Sequence, residues 1–158
     1  MRILELLKLK KYINKYLRHK FWVAYYGFFL NVPIMQLILH DWDKLIPHMF
    51  SAYMNYWFGE HTPDVIEKYN LAILKHIHRS KHHYEYYICD DWQYGIMLYN
   101  IPDRDLAEMI ADWLAVAKVK NVSCDKWWNE NKGKIRMNDE MKQRVEWLLF
   151  VSKQFFEL

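Results

Sequence analysis

Residues able to ligate a metal ion gather at four places in this 158-residue chain. His19 lies inside the first helical stretch. His40 and Asp41 are adjacent. The segment KHIHRSKHH carries four of the eight histidines, His76, His78, His82 and His83. Asp112 sits in the apolar run MIADWLAVA. Neutral imidazole nitrogens and carboxylate oxygens are the donors that divalent transition metals accept. The dipeptide follows PIMQLIL, so it is read as part of a largely buried helix. Burying an imidazole beside a carboxylate costs several kcal/mol unless something pairs with both, and a divalent cation is a partner that fits. Each position taken alone has a plainer reading. His19 can be a polar residue on a helix face, Asp112 can cap a backbone or pair with Lys or Arg, and the histidine cluster can be a solvated turn. All four arising together by accident is a much weaker explanation. Within the cluster, His78 and His82 share a face if the helix continues, and His76 and His83 form the other same-face pair.

The elements that must position these residues read as helices. Residues 2–18 place Ile3, Leu6, Leu7, Ile13, Tyr16 and Leu17 at helical spacing between charges, and this helix continues towards Leu30. A second helix begins near Pro33 and is expected to carry His40-Asp41. A third spans about 47–58 and stops at Gly59. Thr62-Pro63-Asp64 combines an N-cap residue, proline in the first turn and an early acid, opening a helix to about Ser80. Residues 84–100 read as a loop with short turns. Pro102-Asp103 opens a helix to about Lys120, Ser123 caps a short segment, and Asn138-Asp139-Glu140 starts a last helix to about Phe155. No repeat or linker interrupts this order. The expectation is one all-α domain of six or seven helices over residues 1–158.

The stretch 21–39 is long enough for a membrane span. Asn31-Val32-Pro33 interrupts it, however, and it runs into the charged HDWDK. Two short buried helices fit better, with no integral membrane association. The first 17 residues alternate Lys with Leu and lack the apolar core of a secretory leader.

Composition excludes several classes. Four glycines and four prolines are too few for a turn-rich β-sandwich or for a Gly-rich phosphate loop. Apolar residues at 53% and charged residues at 26% describe a folded globular chain. Aromatic residues at 18% imply a core of large rings or a ring-lined pocket. Two cysteines, Cys89 and Cys124, are read as free buried thiols in a reducing, cytoplasmic setting. Seven Lys/Arg and one Glu within residues 1–20 give that segment a local charge of +6, against +3 for the whole chain.

The order His, His-Asp, clustered His, Asp in an all-α chain resembles the HD superfamily of metal-dependent phosphohydrolases, named for such a ligand set. His19 matches its first-helix histidine, His40-Asp41 its dipeptide, and Asp112 its final aspartate, over roughly residues 12–118. HDWDK is similar to the HDxxK form, with Lys44 three residues after Asp41. HDWDK together with HRSKHHYEYY and ADWLA is similar to an uncharacterised HD-like family of bacteria and phages. The resemblance implies one or two divalent transition metals (Mn, Fe, Co, Ni or Zn). His19, His40, Asp41 and Asp112 would hold the first. His78 and His82 are the favoured pair for a second, with Asp41 bridging and His83 lining the pocket. Some two-metal members draw the added histidines from different helices, so the number of ions stays open.

The implied chemistry is phosphate-ester hydrolysis by a metal-activated water, with Lys44, Asp41 and His83 as the catalytic set and a small phosphorylated substrate, in the family most often a nucleotide. Lys44 would hold a phosphate, although an i, i+3 ion pair with Asp41 is its plainer role. Arg79 and Lys81 can add positive charge. Trp42, Tyr84 and Tyr86 can stack a base, or can simply be core. Two rivals stand beside this. One is di-iron oxygenase chemistry on the same ligands. The other is a non-enzymatic, metal-stabilised protein whose basic first helix binds nucleic acid or an anionic membrane; its plainer version is a helix that packs its leucine side inward. Oligomer formation is left open.

Overall fold

The computed structural model describes residues 3–156. It contains seven α-helices and a small hairpin among those residues: α1 (Ile3–Phe29), α2 (Ile34–Leu39), α3 (Pro47–Phe58), α4 (Pro63–Arg79), β1 (Ile88–Asp91), β2 (Gly95–Leu98), α5 (Asp103–Lys120), α6 (Cys124–Asn131) and α7 (Asp139–Phe156). The all-α expectation therefore holds. Residues 84–100 are more ordered than a loop. A 3-10 turn at Tyr84–Tyr87 leads into the antiparallel hairpin, in which Ile88 pairs with Leu98 and Asp91 with Gly95. Gly95, at φ 73°, supplies the left-handed turn residue.

The buried polar centre lies at a seam between two apolar clusters. The smaller cluster packs Tyr12 of α1 with Met49, Ala52 and Tyr53 of α3 and Ala72 of α4. The larger packs Val23 and Tyr26 of α1 with α5, α6 and α7. Helix α1 runs through both, about 40 Å long at 1.5 Å per residue. Its buried residues Tyr12, Tyr16, Val23 and Tyr26 step by four and three, and His19 occupies the missing position of that stripe. Helix α5 is buried over most of its length, from Asp105 to Ala117, as expected of a helix packed on several sides.

Local stops act where the residue types predict. Asn31 adopts the left-handed conformation at φ 58°, and the Val32 N–H reaches back to the Gly27 carbonyl at 2.8 Å. That is a Schellman closure, and it splits the 21–39 stretch as expected. Among the described residues no helix is long and apolar enough to cross a membrane. Thr62 and Ser123 cap α4 and α6 through their side chains.

Four further sequence expectations need correction. Helix α2 ends at Leu39, so His40-Asp41 is not helical; Asp41 itself is left-handed at φ 58°. Helix α4 ends at Arg79, so His82 and His83 belong to the following turn and the four-residue spacing from His78 no longer puts them on one face. Finally, the leucine side of the first turns of α1 does not pack inward. Ile3, Leu6, Leu7 and Leu17 are exposed, and the tyrosines carry the buried stripe instead. Cys124 is buried as expected, but Cys89 is exposed.

Candidate metal centre

Five chain segments meet at the seam. Helix α1 supplies His19, the α2–α3 connection supplies His40, Asp41, Asp43 and Lys44, α4 supplies His76, the turn after it supplies His82 and His83, and α5 supplies Glu108 and Asp112. His40, Asp41, Asp43, His76, His82, Glu108 and Asp112 are all buried. The left-handed turn at Asp41, which Asp tolerates better than most residues, aims consecutive side chains at the same point. Lys20 of α1 holds the turn from outside: its Nζ donates to the carbonyls of Ile38 at 2.6 Å and His40 at 2.8 Å.

Asp41 is the centre of the cluster, and its two oxygens lie against different imidazoles. Oδ2 lies 3.4 Å from His19 Nε2 and 3.6 Å from His40 Nε2. Asp112 closes that side, with Oδ1 at 3.1 Å from His19 Nε2 and 3.8 Å from His40 Nε2. Oδ1 of Asp41 lies 3.1 Å from His76 Nε2 and 3.5 Å from His82 Nε2. His83 joins this second side, its Nε2 3.0 Å from His76 Nε2.

The rings are oriented from behind by carboxylates. His40 Nδ1–H donates to Glu108 Oε1 at 2.9 Å, and His82 Nδ1 faces the same oxygen at 3.4 Å. His76 Nδ1–H donates to both oxygens of Asp43 at 3.0 Å. A ring that gives its Nδ1 proton away presents the Nε2 lone pair, so these rings turn acceptors inward. This is the carboxylate–histidine arrangement that fixes tautomers at metal sites. Two buried atoms at the middle, Asp41 Oδ1 and His82 Nε2, have no hydrogen-bond partner among the described residues. Buried polar atoms are seldom left so. Imidazole nitrogens and carboxylate oxygens converging on one point, with orphans among them, are a donor set that could hold a cation. The donors fall into overlapping triads whose atoms lie within 4.8 Å of one another, including His19/His40/Asp41, His40/His82/Asp112 and His76/His82/His83.

The protonation balance follows. Burial works against charge on His19, but the Asp112 and Asp41 carboxylates outweigh it and raise its pKa to about 9. His82 is raised to about 10 by Asp41 and Glu108 against the same burial. His40 is lowered, because burial dominates there. His83 is pushed down to about 2 by burial and by the neighbouring His82. Glu108 resists burial through its bonds to His40 and His82 and falls to about 2. Asp41 is held well below the usual carboxylate range by Lys44 and the surrounding imidazoles despite its burial, and Asp112 is lowered chiefly by His19 against its own.

Of the residues singled out from sequence, His19, His40, Asp41, His82, His83 and Asp112 come together. His78 does not: it is exposed on the far face of α4, and His76 takes the inward place. The apolar periodicity of α4 carries that signal, since Tyr69, Ala72 and His76 fall on its packed face. Residue spacing does not single out Glu108, one turn before Asp112, or Asp43, inside HDWDK. Lys44 makes the i, i+3 ion pair that is its plainer reading, Nζ to Asp41 Oδ2 at 2.7 Å. Trp42 and Tyr86 are exposed, while Tyr84 packs partly against the larger cluster.

An all-α domain with a buried histidine–carboxylate cluster of this kind is a candidate metal-binding domain. The chain belongs to DUF5662, a family of unknown function, whose sequence pattern it matches over residues 8–153. Neither the curated proteins nor the solved structures contain a match to it.

Proposed function

We propose that this protein is a metal-dependent phosphohydrolase acting on a small phosphate ester by way of a two-ion centre. The observation that carries this is Asp41, whose two oxygens face separate sets of imidazole acceptors. One ion would be held by His19, His40, Asp41 and Asp112, the other by His76, His82, His83 and Asp41. The mixed nitrogen and oxygen donors suit Mn, Fe, Co, Ni or Zn. Ions bound there would supply a water made acidic near neutral pH and positive charge for the phosphoryl oxygens. Glu108 and Asp43 hold the rings in their ligating tautomer. Lys44 gives one N–H to Asp41 and keeps two for a phosphate oxygen. The order of the ligands along the chain, similar to that of the HD superfamily, supports the same reading. The free cysteines fit a cytoplasmic setting.

The test is elemental analysis of the purified protein, followed by phosphate release from generic phosphomonoesters and phosphodiesters with Mn or Co added back. Retained transition metal that Asp41→Ala loses is the expected result. A metal-free wild type whose melting is unchanged by chelator would overturn it, and iron-dependent oxygen uptake without phosphate release would reassign the chemistry to an oxygenase.

A second reading rests on α1. Ile3, Leu4, Leu6 and Leu7 are exposed beside the lysines of a segment with local charge +6. Apolar and basic side chains exposed on one helix suit an anionic membrane surface. Salt-sensitive sedimentation with phosphatidylserine vesicles, lost in Leu6→Glu/Leu7→Glu, is expected; equal sedimentation of that variant would remove this reading.

A further inference from the structure

A cavity of about 320 Å³ opens beside the histidine cluster, within the range of small-ligand pockets. It shares a wall with the centre, because His83 lines it while its Nε2 lies against His76. Helix α5 contributes Trp113, the residue after Asp112, and α6 contributes Trp127 and Asn131. Trp113 is held from behind by Trp128, stacked at 5.7 Å between ring centres, and meets Trp127 edge-on at 5.1 Å. Trp127 remains 40% exposed. A large ring left partly open at a cavity wall is a stacking surface, since a planar π system gains there beyond its area alone. Two polar groups give the cavity direction. Glu85 lines it and has a buried Oε2 without a hydrogen-bond partner among the described residues. Lys134 lines it as an exposed cation.

We infer that this cavity is the substrate-recognition pocket of the centre, and that it takes the ring of a phosphate ester whose organic part is a flat aromatic or heteroaromatic group bearing an amino or hydroxyl donor. The ring lies against Trp127 and Trp113, its donor meets the Glu85 carboxylate in the wall, and the phosphate is directed past His83 to the cluster. Lys134 draws the anion in at the cavity mouth. The catalytic half of this statement rests on the phosphohydrolase reading; the ring-binding half does not.

Four primary esters of similar leaving-group basicity separate the contributions: 3-aminobenzyl, benzyl, cyclohexylmethyl and glycerol phosphate. With metal-loaded protein, kcat/KM is expected to fall in that order. Benzyl should exceed cyclohexylmethyl phosphate about three- to tenfold, the stacking increment converted at 1.4 kcal/mol per factor of ten. Trp127→Ala should remove the benzyl-over-cyclohexylmethyl preference and Glu85→Gln the amino preference, both with unchanged circular dichroism. Ligand-detected NMR with 4-aminophenol, which has no phosphate, reads ring binding without catalysis. Binding of 4-aminophenol that Trp127→Ala abolishes supports the pocket even if no ester is hydrolysed, in which case the phosphohydrolase reading alone fails. Ester hydrolysis with equal rates for all four, or 4-aminophenol binding unchanged in Trp127→Ala, overturns the pocket and leaves the metal centre standing.

Discussion

Replacing Glu108 with Gln tests whether the cluster is a designed ligand set. In the wild type one oxygen accepts from His40 Nδ1 at 2.9 Å and faces His82 Nδ1 at 3.4 Å, while the other accepts from Gln36 at 3.1 Å. An amide has a single oxygen. If that oxygen stays with the rings, the new NH2 faces the Gln36 amide donor; if it turns to Gln36, the NH2 faces two Nδ1–H donors. The second outcome forces His40 and His82 to rotate or change tautomer, and those rings, 4.3 Å apart between centres, lie against different oxygens of Asp41. Loss of one such orienting carboxylate costs about 10–100-fold in metal affinity, or roughly 1.4–2.7 kcal/mol. Because Glu108 serves two rings, both ions should weaken. Asp43→Asn disturbs only His76 and should weaken one. The assay is competition with a chromogenic chelator for Mn or Zn, counting ions and affinities, with circular dichroism to verify the fold. A Glu108→Gln protein that binds both ions within twofold of wild type would refute the reasoning that places Glu108 behind the ligands.

His76→Ala should remove the ion shared with His82 and His83, whereas His78→Ala, on an exposed face, should alter neither binding nor melting by more than about 0.5 kcal/mol; ion counts by elemental analysis distinguish them. Chelator treatment should lower the melting temperature by about 5–10 °C for each ion removed, since one ion at a hundredfold excess over its Kd contributes about 2.7 kcal/mol and each kcal/mol moves a domain of this size by about 2–4 °C. In the chelated protein, His19 and His82 are raised from 6.5 to about 9 and about 10. Their stabilising charge is complete below pH 6.5 and is lost as pH rises through those values. Melting of the metal-free protein should therefore fall between pH 6.5 and 10, and a flat profile in that window would contradict the assigned pairing.

Much of the fold was legible because its signals are local. The split of the 21–39 stretch follows from Asn31, which tolerates the left-handed turn, and from Pro33, which cannot continue a helix. The caps at Thr62 and Ser123 act within three residues of themselves. The hairpin was not legible, because Ile88–Asp91 and Gly95–Leu98 are too short to show a period. The exposure of Ile3, Leu6 and Leu7 was not legible either. Helical periodicity marks an apolar stripe but does not say whether another element covers it.

The candidate site divides along the same line. The sequence by itself determined the types of side chain that gather here, the order in which they occur and the helices that carry His19 and Asp112. Only the tertiary structure decided that Asp41 leaves its helix in a left-handed turn, that His76 rather than His78 faces inward, and that Glu108 stands behind two rings at once. These depend on where α4 stops and on how α1, α4 and α5 meet around one point. Contacts between residues 19, 41, 76 and 108 are set by packing across the chain, which residue spacing along it does not encode.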